Sequence, residues 1–197
     1  MLVKGDLLRE IAGKKMGILA TKIEKQAIAS LVTRLEECNP TPNPLEATHL
    51  LDGNWRLLYT TSRELLGLDN IPLANLGEIY QYVRVEDAKI YNIAELSGLP
   101  LLSAVVSVCA RFEPESDRRV TVKFERAISG FQNFLGYQSP KQFIDGIESG
   151  KNYRFQAIDF PIPDGNQQGW LDITYLDRDL RIGRGNEGSI FVLDKAS

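Results

Sequence analysis

Histidine and cysteine are almost missing from this chain, with one His and two Cys in 197 residues. Cys38 and Cys109 lie far apart and form no CxxC pair, which excludes a disulfide framework and points to a reducing compartment. Both read as small buried apolar residues rather than redox groups. The single histidine, His49, has no base–nucleophile pattern around it, so nothing supports catalysis through it. No apolar run approaches the roughly 20 residues of a membrane-spanning helix. A basic excess is absent too: the net charge is −3 and the pI about 5.3, which argues against nucleic acid as a partner. Met1-Leu-Val-Lys-Gly-Asp6 lacks both the apolar core of a signal peptide and the Arg/Ser-rich character of a transit peptide. The expectation is a protein that works where it is made, or one whose targeting segment has been removed.

What is present suits one domain with a helical annex, at 43% hydrophobic and 25% charged residues. Asp6 to Gly13 reads as a short helix with Asp6 as N-cap and Gly13 as its stop. Thr21-Lys-Ile-Glu24 is a capping box that opens a second helix. Its predicted apolar stripe runs Ile23, Ala27, Ile28, Leu31, Leu35 and Cys38. The opposite face mixes both signs of charge, so the stripe is expected to pack on the rest of the protein rather than at a membrane interface. Asn39-Pro-Thr-Pro-Asn-Pro44 ends that helix, because proline cannot continue it. Residues 1–50 are thus a helical segment with a proline-rich linker, and residues 51–197 read as β.

Leu51-Asp-Gly-Asn-Trp-Arg-Leu-Leu-Tyr-Thr-Thr61 opens the β region, with Trp55, Leu57 and Tyr59 on one face. A loop with a helical turn at Arg63–Leu66 follows. Gly77–Val85 and Lys89–Leu96 predict a hairpin; Leu101–Phe112 and Arg119–Ile128 continue the period-two alternation of antiparallel sheet. Arg126 interrupts an apolar row between Phe124 and Ile128. Either a bulge shifts the register there or a charge points inward. Ser139-Pro-Lys-Gln142 starts one inserted helix, which Gly150 stops. Strands are then expected at Tyr153–Phe160, Gly169–Leu176, Leu180–Arg184 and Ser189–Leu193. Eight or nine short strands in sequential hairpins, with few helices between them, imply a closed antiparallel barrel in a mainly β chain with N-terminal helices.

Several motifs fail as chemistry. Gly183-Arg-Gly-Asn-Glu-Gly188 matches G-x-G-x-x-G, but no helix follows to hold a pyrophosphate, so the glycines read as turn residues. Asp172, Asp177 and Asp179 lack the spacing of a calcium loop. No nucleophile elbow is present. The sequence calls for no metal, no cofactor and no enzyme activity.

Two segments stand together as a signature: Leu51–Thr61, and Ile173-Thr-Tyr-Leu-Asp-Arg-Asp-Leu-Arg-Ile-Gly-Arg-Gly-Asn-Glu-Gly-Ser-Ile-Phe-Val-Leu193. With Leu35-Glu-Glu-Cys-Asn-Pro-Thr-Pro42 and the central strands, the chain resembles the plastid lipid-associated proteins, or plastid fibrillins, in a cyanobacterial-type form. The resemblance covers nearly the whole sequence. It places Gly53, Trp55, Tyr59, Thr60 and Thr61 in the first family motif, and Tyr175, Asp177, Leu180, Arg181, Arg184 and Gly185 in the second. It implies a lipocalin-like barrel that binds or organises prenylquinones, carotenoids or other lipids. It further implies peripheral association with thylakoids or lipid globules under light stress, and a possible protein partner in prenylquinone synthesis.

A barrel of about eight strands can be filled by side chains or hold one small apolar ligand. On the second alternative the candidate ligand contacts are Trp55, Tyr59, Tyr82, Phe124, Arg126, Tyr175 and Arg184. The structural alternative keeps Trp55 and Tyr59 as core. Trp55 is expected to stack on Arg181 or Arg184 as a plug at one barrel end. Arg184, on the face of Leu180 and Ile182, and Arg126 are the candidates for an inward charge. Leu65-Leu-Gly-Leu68 and Leu99-Pro-Leu-Leu102 are candidate membrane-dipping loops. A filled barrel acting as a coat or scaffold is the other function the sequence permits.

Overall fold

Period-two alternation builds nine strands in this computed structural model, which describes residues 2–66, 75–98, 103–151, 153, 155–163 and 168–196. They are β1 (Gly53–Thr60), β2 (Asn75–Arg84), β3 (Lys89–Ser97), β4 (Ala104–Pro114), β5 (Arg119–Phe131), β6 (Ile158–Pro161), β7 (Gln168–Leu176), β8 (Leu180–Gly185) and β9 (Ile190–Lys195). Eight close antiparallel into a ring, β1-β2-β3-β4-β5-β7-β8-β9, with β9 returning to β1. The extra strand exists because β5 is long: residues 119–123 pair with β7, whereas 126–129 pair with β6.

Among the described residues six α-helices decorate the ring: α1 (Leu2–Ile11), α2 (Lys22–Glu36), α3 (Thr48–Leu51), α4 (Arg63–Leu66), α5 (Gln132–Leu135) and α6 (Pro140–Glu148). They divide the apolar side chains into three clusters. The first lies inside the ring, among them Trp55, Leu57, Ile79, Val83, Phe112 and Leu176. The second lies outside it, where Leu7, Ile11, Ile28, Val32 and Leu35 of α1 and α2 cover Tyr59, Tyr175, Ile182 and Val192. The third lies on the opposite outer face, where Phe143 and Ile144 of α6 and Tyr153 cover Tyr82, Tyr91, Ile93, Val105 and Ile128. Each large apolar side chain buried this way contributes roughly 1.5–3 kcal/mol, so both outer coats matter to stability beside the lumen.

The local signals explain most boundaries. Thr21 and Glu24 form the full capping box, and Ser139 caps α6 with Pro140 in the first turn. Residues 13–20 connect α1 to α2 and run beside β1, where the Met16 carbonyl accepts from the Thr60 amide at 3.0 Å. Gly17 is required there: its φ is +103°, and a Cβ would stand 2.7 Å from the Thr60 carbonyl.

Some expectations need correction. The first helix starts at Leu2, so Asp6 is an interior residue paired with Arg9 rather than an N-cap. Helix α2 meets the barrel only from its second turn, leaving Ile23 78% exposed, and it ends at Glu36, before the exposed Cys38, with Val32 among its buried residues. The strand expected over Tyr153–Phe160 is confined to Ile158–Pro161, since Tyr153 leaves the sheet to fill the third cluster. Gly183 and Gly185 are strand residues of β8; the turn proper is Asn186–Gly188, with Gly188 at φ +72°. The helical turn at Arg63–Leu66 forms as expected. Residues 67–74 and 99–102, which hold most of the candidate membrane-dipping loops, lie outside the described residues.

Candidate functional site

The lumen is floored at the α3 end. Trp55 points inward from β1, fully buried, and its indole N–H donates to the Leu51 carbonyl of α3 at 2.8 Å. Two cations lie against its ring: the Arg181 guanidinium at 4.8 Å and the Lys195 ammonium at 4.5 Å from the centroid. Lys195 donates to the carbonyls of Leu50, at 2.7 Å, and Asp52, which closes α3 over the barrel end. Gly53 accommodates this fold-over with φ +111°, beneath the Lys195 side chain.

Arg181 is the buried member, only 3% exposed. It donates to the Gln81 amide oxygen, and Gln81 in turn donates to Asn92 Oδ1 at 2.9 Å. Strand register places all three inside, because Gln81 lies opposite Trp55 and Asn92, and Arg181 opposite Leu193. Among the described residues no carboxylate pairs with Arg181. Burial, unopposed by any acid, presses its pKa down to about 9. Burial lowers Lys195 as well, helped by the like charge of Arg181.

Above this polar floor the wall turns apolar. Val106, Val108, Val122 and Phe124 face inward from β4 and β5 yet are only half-buried, so solvent reaches these lumen walls. Where β5 leaves β7 for β6, the same face continues past the ring. Val108, Ala127 and Phe160 lie in one row, and Val106, Ser129 and Ile158 in the next. Ile158 is 68% and Phe160 48% exposed. Phe131, opposite Ala104, meets Phe134 edge-on at 5.9 Å, and both rings are exposed. An apolar face therefore runs without a break from the lumen to the surface.

Of the seven candidate ligand contacts, Trp55 and Phe124 lie on the lumen side. Trp55 stacks on Arg181, not on Arg184. Arg184 does share a face with Leu180 and Ile182, but it is the outer face, where its Nε and Nη2 donate to the two carboxylate oxygens of Glu36 of α2 at 2.8 Å. Arg126 also points outward, onto Asp159 at 2.7–2.8 Å, because a bulge between Cys109 and Ala110 shifts the register at that point. Tyr82 lies on the outer face beneath α6; Tyr59 and Tyr175 lie beneath α1 and α2. The second motif's Asp177 accepts from the Tyr175 hydroxyl, the Asp179 and Leu180 amides and Lys4 of α1, which orders the β7–β8 turn. The first motif's threonines tie β1 to β9: Thr60 donates to the Ile190 carbonyl at 2.8 Å, and the Ile190 amide donates to Thr61 at 2.9 Å.

Sequence reading missed Gln81, Asn92, Lys195, Ile158 and Phe160. Gln81 carries a usable signal, a polar residue in the inward row between Ile79 and Val83. The others depend on which strands meet. Among the described residues no group of three or more His, Cys, Asp or Glu could hold a metal ion, and no helix is long and apolar enough to cross a membrane.

Comparison with known proteins finds relatives along nearly the whole chain. The family model described as PAP_fibrillin matches residues 1–194. The light-induced chloroplastic protein of Solanum tuberosum is 37% identical over 98% of this chain and 67% of its own length. The chromoplast-specific carotenoid-associated protein of Cucumis sativus is 36% identical over the same shares, and the chloroplastic plastid-lipid-associated protein of Citrus unshiu 34%. No solved structure matches the chain.

Proposed function

This chain belongs to the PAP_fibrillin family, and from that premise we propose that it is a non-catalytic lipid-binding protein whose barrel lumen takes one hydrophobic small molecule. The observation that carries this reading is the continuous apolar face from half-buried Val106, Val108 and Phe124 to exposed Ile158 and Phe160. A lumen with an apolar wall, one polar floor and a greasy outlet suits a molecule with a long hydrocarbon part, such as a prenylquinone, a carotenoid or an acyl lipid. The names of the carotenoid-associated and plastid-lipid-associated relatives support the same class. Within this reading Phe124 contacts the ligand and Trp55 closes the floor beneath it, while Tyr59, Tyr82, Arg126, Tyr175 and Arg184 hold the outer coats to the barrel.

Mass spectrometry of the organic extract from protein purified out of its native host tests the proposal. A stoichiometric lipid, quinone or carotenoid is the expected result. Lipid-free protein that still floats with liposomes would overturn it and favour a coat or scaffold. That second reading has its own observation, the exposed Phe131, Phe134, Phe155, Ile158 and Phe160 around one corner of the barrel. In either case the rim seats the protein peripherally on a photosynthetic membrane or lipid globule, in a plastid or a cyanobacterial cell, or against a partner enzyme of lipid synthesis.

A further inference from the structure

Arg181 has more donors than the described residues accept from. A guanidinium carries five N–H groups, and here it meets one protein acceptor, Gln81, with no carboxylate among the described residues. A buried charge without a counter-ion is costly and is ordinarily paired. The second cation at the floor does not relieve it, because Lys195 is positive too and already donates to the Leu50 and Asp52 carbonyls. The Trp55 ring supplies a π face but accepts no in-plane N–H bond. At the floor of the lumen the Arg181 guanidinium therefore keeps charge-assisted N–H donors beyond the one that Gln81 takes.

Resting on the lumen reading above, we infer that Arg181 anchors the carboxylate of a long-chain amphiphile, its hydrocarbon tail lying along Val106, Val108 and Phe124 toward the Ile158–Phe160 rim. A carboxylate matches the planar fork of arginine and supplies the missing charge, whereas an ester, an alcohol or a hydrocarbon supplies none. Gln81 orients the guanidinium from the β2 side. Asn92, half-buried beside it, adds a polar group that can accommodate the second carboxylate oxygen or a water bridging to it. The polar line Arg181–Gln81–Asn92 thus sets which end of the molecule enters first.

The test compares oleate, methyl oleate and acetate on the full chain by calorimetric titration, with Arg181→Gln as the variant. Oleate should bind stoichiometrically and roughly 10- to 100-fold more tightly than its methyl ester, the range expected for hydrogen bonds to a charged group. In folded Arg181→Gln the two should become equal, with ester affinity kept. Acetate in large excess should not displace oleate. Equal affinity of the unaltered protein for acid and ester would overturn the anchor while leaving the lumen reading standing, and needs no variant. An Arg181→Gln protein that keeps the preference would also overturn it, as would displacement by acetate, which would make the site a simple anion pocket. Failure of both oleate and methyl oleate to bind would overturn the lumen reading, and the anchor with it.

Discussion

The two ends of the barrel are made of opposite materials. At the α3 end a buried tryptophan lies between cations, its N–H and the Lys195 ammonium both bonded to backbone carbonyls that clamp the helix down. At the β5–β6 end phenylalanine and isoleucine side chains stand in solvent, and the inward valines behind them are only half-buried. The first end is closed by many mutually dependent contacts, so its residues should be intolerant of change. The second leaves apolar surface unburied at the cost of solvation, which a fold does not need for itself. Resistance to change is thus expected to concentrate at the α3 end, and contact with a lipid surface at the β5–β6 end.

Trp55→Ala should break the contrast most severely. It removes a fully buried indole and its stacking on Arg181, and should cost about 3–5 kcal/mol in thermal or chemical denaturation. A loss under about 1 kcal/mol would show that the floor does not hold the barrel shut. Gly17→Ala should cost about 1–3 kcal/mol, because a positive φ is combined with a backbone oxygen 2.7 Å from the new Cβ. Its effect should appear first as loss of α1–α2 protection in hydrogen exchange. Thr21→Ala should cost about 1 kcal/mol through the lost cap of α2. The same box sharpens a pH test. Lys14, then the Thr21 amide and hydroxyl, hold the Glu24 carboxyl down to about 2, below its ordinary 4.5. Its folded pKa is depressed, so the contribution is complete above pH 4.5 and disappears as pH falls toward 2. An NMR titration of Glu24 with a midpoint near 4.5 would contradict it. Ile158→Asp and Phe160→Asp should change stability least, by under about 0.5 kcal/mol, since both side chains are exposed. They should nevertheless reduce liposome flotation; unchanged flotation would remove the rim from the membrane-facing surface.

The sequence made the barrel legible because alternation is a local property. Trp55 and Leu57 announce an inward face wherever the strand lies, and the Thr21–Glu24 box and Ser139–Pro140 mark helix starts without reference to a partner. The site was less legible for a matching reason. Alternation shows that Tyr82 and Gln81 face opposite ways, but not which way is in. The outer faces of this barrel are covered by helices and are as apolar as its lumen, so Tyr59, Tyr82 and Tyr175 resemble lumen residues while lying outside it. Bulges add to the ambiguity. One at β4–β5 turns Arg126 from the apparent inward row to the outer one, and one between Leu57 and Tyr59 sends the first motif's aromatics to two different clusters.

The sequence alone determined the strand count, the helical annex, the stacking of Trp55 on an arginine of the last hairpin, and the family, because each rests on short-range periodicity, capping or motif residues. Only the tertiary structure decided that the arginine is Arg181 and that it is left without an acid. Only the structure showed, too, that β5 is shared between β7 and β6, which carries an apolar face out of the lumen. Those facts depend on strand register and ring closure. One residue of slip exchanges inside for outside, so no local pattern fixes which charge is buried and which greasy face reaches the surface.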